Sequence, residues 1–371
     1  MDALQLHELL KGKYRMLPTI EVTDENLKLL YTPGVGDVAR KCAENPENTF
    51  IYTRRKHAIA IVSDGSAVLG LGNIGAYGAL PVMEGKAILF KQFGDLEAFP
   101  ICINTQNIDE IVAFVKALEP SVGGINLEDI SAPRCFEILE RLNNQMKIPV
   151  FHDDQQGTAV VVIAGLLNAL KLAGKKIEEV KIVVNGIGAA GYNIVKLLMK
   201  FGAKHVVPCD VNGIINEKTA LHKYHVEISE LTGNLNNTGS LRDAIVDADV
   251  FIGVSKGGIL SGDDVKRMNK APIIFALANP YPEIMPKDAY GNGAFIVATG
   301  RSDFINQVNN LLAFPGIMKA AVEKQVKINE QFLIKAAHIL SSIIEPSKDR
   351  ILPKATDRRV HDELYYGLLE T

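Results

Sequence analysis

The stretch KIVVNGIGAAGYNIVKLLMKFG, residues 181–202, constrains the fold of this chain more than any other. A β-branched run, a G-x-G-x-x-G turn (Gly186, Gly188 and Gly191, with Ala189 and Ala190 between) and a helical pattern follow without a gap. A strand, a glycine turn and a helix in that order open a parallel α/β sheet, because parallel neighbours need a helical crossover. The next strand-like run, HVVPCD, ends in Asp210, 19 residues beyond Gly191. At that spacing an acid reaches the adenosine ribose hydroxyls while the helix N-terminus holds a pyrophosphate. Asp210 favours NAD, since a 2′-phosphate about 4 Å from a carboxylate meets about 4 kcal/mol of repulsion at an effective dielectric of about 20. A neighbouring cation would soften that repulsion and leave NADP open.

The alternation extends through the chain. HAIAIVSDG, KAILF, GGINLEDI and IPVFHDD read as one set of strands, and KIVVN, HVVPCD, DVFIGVS, PIIFALANP and AFIVATG as a second. Helical stretches such as GTAVVVIAGLLNALKLAG lie between them, the pattern of parallel sheets covered on both faces. With 371 residues the chain exceeds one ordinary core, so two α/β domains are expected. Residues 1–155 would form an N-terminal catalytic and metal domain with a parallel sheet. Residues 156–371 would form a Rossmann-type nucleotide domain whose C-terminal helical segment, keeping Ile351, Leu352 and Val360, returns in ordered form.

Composition excludes several classes. A formal charge of −3 leaves no electrostatic footprint for nucleic acid. Cys42, Cys102, Cys135 and Cys209 form no C-x-x-C pair. The first residues lack the order of a signal peptide and no run reaches about 18 apolar residues, so a cytoplasmic protein without membrane contact is expected. The partner expected is a small molecule.

In VGGINLEDISAPRCFEILERLNNQMKIPVFHDDQ a strand, a helix and a second strand bring two strand ends to one sheet edge. Glu128 and Asp129 terminate one strand, Asp153 and Asp154 the other. Four carboxylates at such an edge repel without a counter-charge, and all-oxygen ligands suit Mg²⁺ or Mn²⁺. The alternative is that Asp129 and Asp154 cap the helices that follow. Lys86, read as the start of the strand KAILF, is a surface cation or a chemical group. Tyr31 in YTPGVG is a packed or a functional tyrosine. A second G-x-G-x-x-G (Gly70, Gly72, Gly75) is followed by no acid-ended strand, so it is a packing turn or a pocket loop and not the dinucleotide site. His222 and His225 in HKYH read as a solvated face.

LYTPGVG, VSDGSAVLGLGNIG, PVMEGKAILFKQF, GGINLEDISAP, FHDDQQGTA, NGIGAAG, DVFIGVS, IIFALANP and ATGRSDFINQVNN together resemble malic enzymes, in order and over nearly the whole chain. The similarity is to the compact bacterial form, without a phosphotransacetylase-like extension. It implies oxidative decarboxylation of L-malate to pyruvate and CO₂ with NAD(P)⁺ and Mg²⁺ or Mn²⁺, in a homodimer or higher homo-oligomer. By position it implies Lys86 as general base and Tyr31 as the acid that protonates the enolate carbon. It further implies Glu128, Asp129 and Asp154 as metal ligands, and Asp153 beside the lysine. Asn279 and Asn310, with Asn309 as their neighbour, are implied near substrate or the nicotinamide ribose. A lysine with an ordinary pKa near 10.4 must fall by about 3 units, about 4 kcal/mol, to act as base at neutral pH. Larger animal-type relatives carry an arginine just before LGLG that pairs with a substrate carboxylate. Ser66 and Ala67 stand there here, which leaves the second carboxylate without an assigned partner. Malolactic enzyme, which releases lactate, and a silent nucleotide-binding scaffold are the competing readings. Alternation along a strand would send Asp153 and Asp154 to opposite faces and so to different tasks.

Overall fold

The computed structural model describes residues 2–370. The first sheet contains β1 (Ala58–Ser63), β2 (Glu97–Cys102), β3 (Gly124–Leu127) and β4 (Val150–His152), in the order β2-β1-β3-β4 with all neighbours parallel. Every residue of β1, β3 and β4 is buried, as expected for a parallel sheet covered on both faces. β2 is an edge strand, which is why it tolerates Pro100.

KAILF is not a strand. It lies in the 20-residue helix Gly75–Gly94, whose buried residues Ala76, Ala79, Met83, Lys86, Ala87, Phe90 and Phe93 recur every three or four positions. Four apolar residues after a lysine are ambiguous by themselves; the longer spacing belongs to a helix. The strand next to β1 is instead Glu97–Cys102.

The second sheet contains β5 (Lys181–Asn185), β6 (His205–Asp210), β7 (Gly213–Ile214), β8 (Val250–Gly253), β9 (Ile273–Ala276) and β10 (Ile296–Thr299). Their order is β10-β9-β8-β5-β6-β7, parallel except for the short β6–β7 pair. The chain turns outward in both directions from β5, so the crevice at its carboxyl end is the switch point where such sheets bind ligands.

Between the sheets the chain makes a π-helical turn, Asp153–Gly157, and continues as the helix Thr158–Ala173. A Cβ on Gly157 would lie 1.9 Å from Asp153 Oδ1, so the turn requires glycine there. The stretch Asp153–Ala173 is by length and mean hydropathy able to span a membrane, although Asp153, Asp154, Gln155, Gln156, Asn168 and Lys171 interrupt it and no uninterrupted run reaches about 18 apolar residues. Here Val160, Val161, Val162, Ile163 and Leu166 are fully buried, which makes it a core helix.

The helix Phe314–Lys324 returns to the first sheet: a Cβ on Gly124 would lie 2.8 Å from Val322, and the Phe90 and Phe314 rings are 4.7 Å apart. One continuous apolar core therefore runs through both sheets. By contrast, the helices between Ala3 and Tyr52 bury none of their residues.

Candidate active site

The glycine turn after β5 is built for close approach. A Cβ on Gly186 (φ 100°) would lie 2.7 Å from Ser255 Cβ, and one on Gly191 would lie 1.9 Å from the Gly186 carbonyl oxygen. Nothing lies within 4 Å of a Cβ on Gly188, leaving open space for a ligand at the N-terminus of the helix Ala189–Lys200. Ala189 and Ala190 form the first turn of that helix. Asp210 stands at the end of β6, where its Oδ2 accepts from Ile187 N at 3.1 Å and its Oδ1 from Val211 N at 2.7 Å. The carboxylate thus also holds the glycine turn in shape.

HKYH is not a solvated face. His225 is 1 % exposed, with Nε2 3.2 Å from the Ile187 carbonyl oxygen and 3.5 Å from Asp210 Oδ2. His222 caps the helix Lys223–Leu231, which carries His225, by accepting from His225 N. His225 is covered by the nucleotide turn, through Ile187 O and Asp210, and His222 by the Phe136 and Tyr224 rings, and most of these partners are distant in sequence.

At the carboxyl edge of the first sheet the register pairs Leu127 with His152, so Glu128 and Asp153 emerge side by side. Lys86 reaches them from the buried side of its helix. Its Nζ is 2.8 Å from Glu128 Oε1, forms an ion pair with Asp153 Oδ2, and lies 4.2 Å from the centre of the Phe314 ring. Asn310 Nδ2 donates to the same Asp153 oxygen at 2.7 Å, and Asn126 Nδ2 donates to Glu128 Oε2 at 2.9 Å. Asp154 turns the other way: its Oδ2 accepts from Asp129 N at 2.9 Å. One ligand oxygen each from Glu128, Asp129 and Asp154 falls within 4.8 Å of the others, and Asp129 Oδ2 is buried without a partner.

The two aspartates do diverge, but not by strand alternation. β4 ends at His152, and both aspartates lie in the π-helical turn, whose curvature separates them. Neither Asp129 nor Asp154 caps a helix; Pro133 and Gly157 occupy those positions without side-chain caps.

Burial raises all four acids. Burial first, with Asp154 and Glu128 adding, pushes Asp129 up to about 9. Burial pushes Glu128 and Asp153 up to about 7 against the opposing charge of Lys86, and Asp154 up to about 6. Burial alone would lower Lys86, but Asp153, Glu128 and Asp154 outweigh it and hold the ammonium above its ordinary value. A single ammonium cannot neutralise four carboxylates, and the remaining negative charge is what a cation would relieve.

Other expected residues are more scattered. Asn279 follows β9, donates to Leu277 O at 3.3 Å, and with Pro280 packs against Gly70 of the first glycine motif. The packing reading therefore holds at Gly70; a Cβ on Gly72 or Gly75 would meet nothing within 4 Å, which leaves open space beside the turn. Asn309 accepts from Leu311 N and caps the short helix that carries Asn310. Tyr31 is 68 % exposed, and among the described residues no hydrogen bond joins its hydroxyl to Lys86 or the acids.

Several participants escaped the sequence reading. His152 is fully buried beside Asp154, with both ring nitrogens unpartnered; burial, with Lys86 adding, pushes it down to about 3, so it is neutral. Gln155 donates to Cys135 O at 3.2 Å and accepts from Asn193 at 3.0 Å, tying the acidic turn to the nucleotide helix. Glu283, fully buried, accepts from Ser255 N and Ala278 N at the ends of β8 and β9. Its only local signal is an acid directly after the Pro280-Tyr281-Pro282 turn.

A Rossmann sheet joined to an edge of buried acids and one lysine is the arrangement of an NAD(P)-dependent oxidoreductase. The family described as malic enzyme, N-terminal domain, matches residues 11–108 and 105–143, and malic enzyme, NAD binding domain, matches residues 155–361. The crystal structure of an NAD-dependent malic enzyme from Thermotoga maritima superposes with a TM-score of 0.97 at 60 % identity, covering 100 % of this chain and 99 % of that one. The bifunctional malic/malolactic enzyme of Bacillus subtilis is 50 % identical over 97 % of this chain and 89 % of its own. The NAD-dependent malic enzyme of Geobacillus stearothermophilus is 48 % identical over 94 % of this chain and 74 % of its own. The chain belongs to the malic enzyme family, whose NAD(P)-dependent members decarboxylate malate oxidatively.

The raised carboxyls make a signed prediction. A carboxyl whose folded pKa exceeds its unfolded value keeps its proton longer in the folded state, so stability is lost as pH rises between the two. For these groups that window runs from about 4 to about 9. Lys86, raised from 10.5, affects stability only above this window. Without divalent cations the melting temperature should fall from pH 5 to pH 8.5, and Mg²⁺ should raise it more at pH 8.5 than at pH 5. Differential scanning fluorimetry at constant ionic strength measures both; an equal Mg²⁺ shift at the two pH values would count against a cation at these acids.

Proposed function

We propose that this chain converts L-malate to pyruvate and CO₂ with NAD⁺ as the preferred acceptor, on a divalent cation held by Glu128, Asp129 and Asp154. What carries this reading is the set of oxygen ligands, buried at Glu128 and Asp129 and half-buried at Asp154, one of them unpartnered, beside a buried lysine. Oxygen donors without nitrogen or sulfur suit Mg²⁺ or Mn²⁺. Bound there, the cation would supply Lewis acidity to the substrate oxygens.

The protein's own groups take the remaining tasks. Lys86 Nζ receives the proton of the malate hydroxyl as hydride leaves the same carbon for the nicotinamide. Asp153, itself held by Asn310, orients Lys86. In the cation-free protein the acids keep Lys86 charged, so its base form depends on their charge being balanced. Tyr31 returns a proton to the carbon that loses CO₂. Asn279, in the loop after β9, would contact substrate or the nicotinamide ribose. Asp210 takes the adenosine ribose hydroxyls and disfavours a 2′-phosphate.

The protein would act in the cytoplasm as a homo-oligomer. An exposed Tyr31 cannot deliver a proton out of contact with bulk water. It sits in a segment whose Leu4, Leu9, Met16, Leu17 and Leu29 are also exposed. A second copy covering this segment would exclude water from both.

The defining assay follows NADH from malate with and without Mg²⁺ or Mn²⁺. Lys86→Ala should lower turnover by about 10²–10⁴-fold while NADH still binds, as fluorescence titration would show; retained turnover would remove Lys86 as base. Malate consumption without net NADH would favour the malolactic reading, which the name of the Bacillus relative supports, and absence of turnover would favour the silent scaffold. Asp210→Ala should raise the ratio of kcat/KM for NADP⁺ over NAD⁺ by about tenfold or more, although loosening of the glycine turn lowers both; an unchanged ratio would defeat the cofactor argument. Sedimentation should give at least twice the chain mass, and a monomer would leave Tyr31 without a covered site.

A further inference from the structure

We propose that Arg134 and Asp64 form a clamp that positions Asp129 for the divalent cation, an inference that rests on the carboxylate site proposed above. Asp64 follows β1, and its side chain is fully buried. Its Oδ1 accepts from Ser66 N at 3.0 Å and from Ser66 Oγ at 2.6 Å, while its Oδ2 pairs with Arg134 at 2.9 Å. The other guanidinium nitrogen of Arg134 donates to Ser66 Oγ at 2.9 Å and to Ser131 Oγ at 3.0 Å. Ser131 N donates to Ser66 Oγ at 2.9 Å, and Ala67 N donates to the Asp129 carbonyl oxygen at 2.9 Å. The loop after β1 is thereby fastened to residues 129–131 after β3.

What this fastening holds is a conformation that needs holding. Asp129 has φ 54°, the left-handed region that residues with a Cβ adopt at a cost. Its N–H is engaged by Asp154 and its carbonyl by Ala67, so its unpartnered Oδ2 is aimed by backbone contacts alone. Arg134 opens the helix Arg134–Gln145, where the helix dipole disfavours a cation. Asp64 compensates that charge, and the neutral pair adds nothing to the excess charge of the acidic cluster. Among the described residues no hydrogen bond joins Arg134 to Asp129, Glu128 or Asp154. Arg134 is a positioning residue acting through Ser66 and Ala67.

Mn²⁺ binding to metal-stripped enzyme, followed by the electron paramagnetic resonance of free Mn²⁺ without malate or NAD, tests the clamp. Arg134→Gln and the milder Ser66→Ala should each weaken Mn²⁺ binding by about tenfold, the effect expected of residues that orient metal ligands. NADH binding, read by fluorescence, should stay at the parent value. A purely structural role would lower the melting temperature but leave Mn²⁺ affinity in the folded protein unchanged. Parent-like Mn²⁺ binding in both variants would therefore overturn the clamp, including the case in which only the KM for malate rises. Failure of the parent enzyme itself to bind Mn²⁺ would overturn the metal site and the clamp with it.

Discussion

Four carboxylates gathered round one buried lysine are the constraint on which the rest of this structure turns. Burial opposes every one of these charges, and the lysine offsets only part of the acidic excess. The protein meets the remainder locally. Asn126, Asn310 and the Asp129 amide each donate to one carboxylate, and His152 is kept neutral. A cation completes what these donors begin, so binding and stability are one electrostatic problem.

The site owes its shape to two segments that leave one sheet and reach another element. The π-helical turn Asp153–Gly157 carries two acids toward the first sheet, and through Gln155 contacts the helix that opens the nucleotide fold. The helix Phe314–Lys324 brings Phe314 over Lys86, excluding water from the ammonium. Because both segments pack into one apolar core, the acids and the glycine turn are held against the same rigid frame.

Much of this was legible beforehand because the signals were local. Gly186, Gly188 and Gly191 with Asp210 announce a turn whose backbone conformation and spacing are set within about 30 residues. The crossover from β3 to β4 puts Glu128, Asp129, Asp153 and Asp154 on one edge for the same reason. KAILF misled because four apolar residues fit either period, and the helical spacing shows only from Ala76 to Phe93. His225 and Glu283 stayed hidden because their surroundings come from distant strands.

Short-range chemistry in the chain settled the α/β alternation, the nucleotide turn and the presence of an acidic edge, since each depends on residue type and spacing alone. Only tertiary packing decided that Lys86 lies on a buried helix face, that Asp153 meets it while Asp154 faces Asp129, and that Arg134 is locked to Asp64. Those contacts join residues about 65 to 70 positions apart for Lys86–Asp153 and Arg134–Asp64, and charge interactions across such separations depend on burial and distance, which no local pattern encodes.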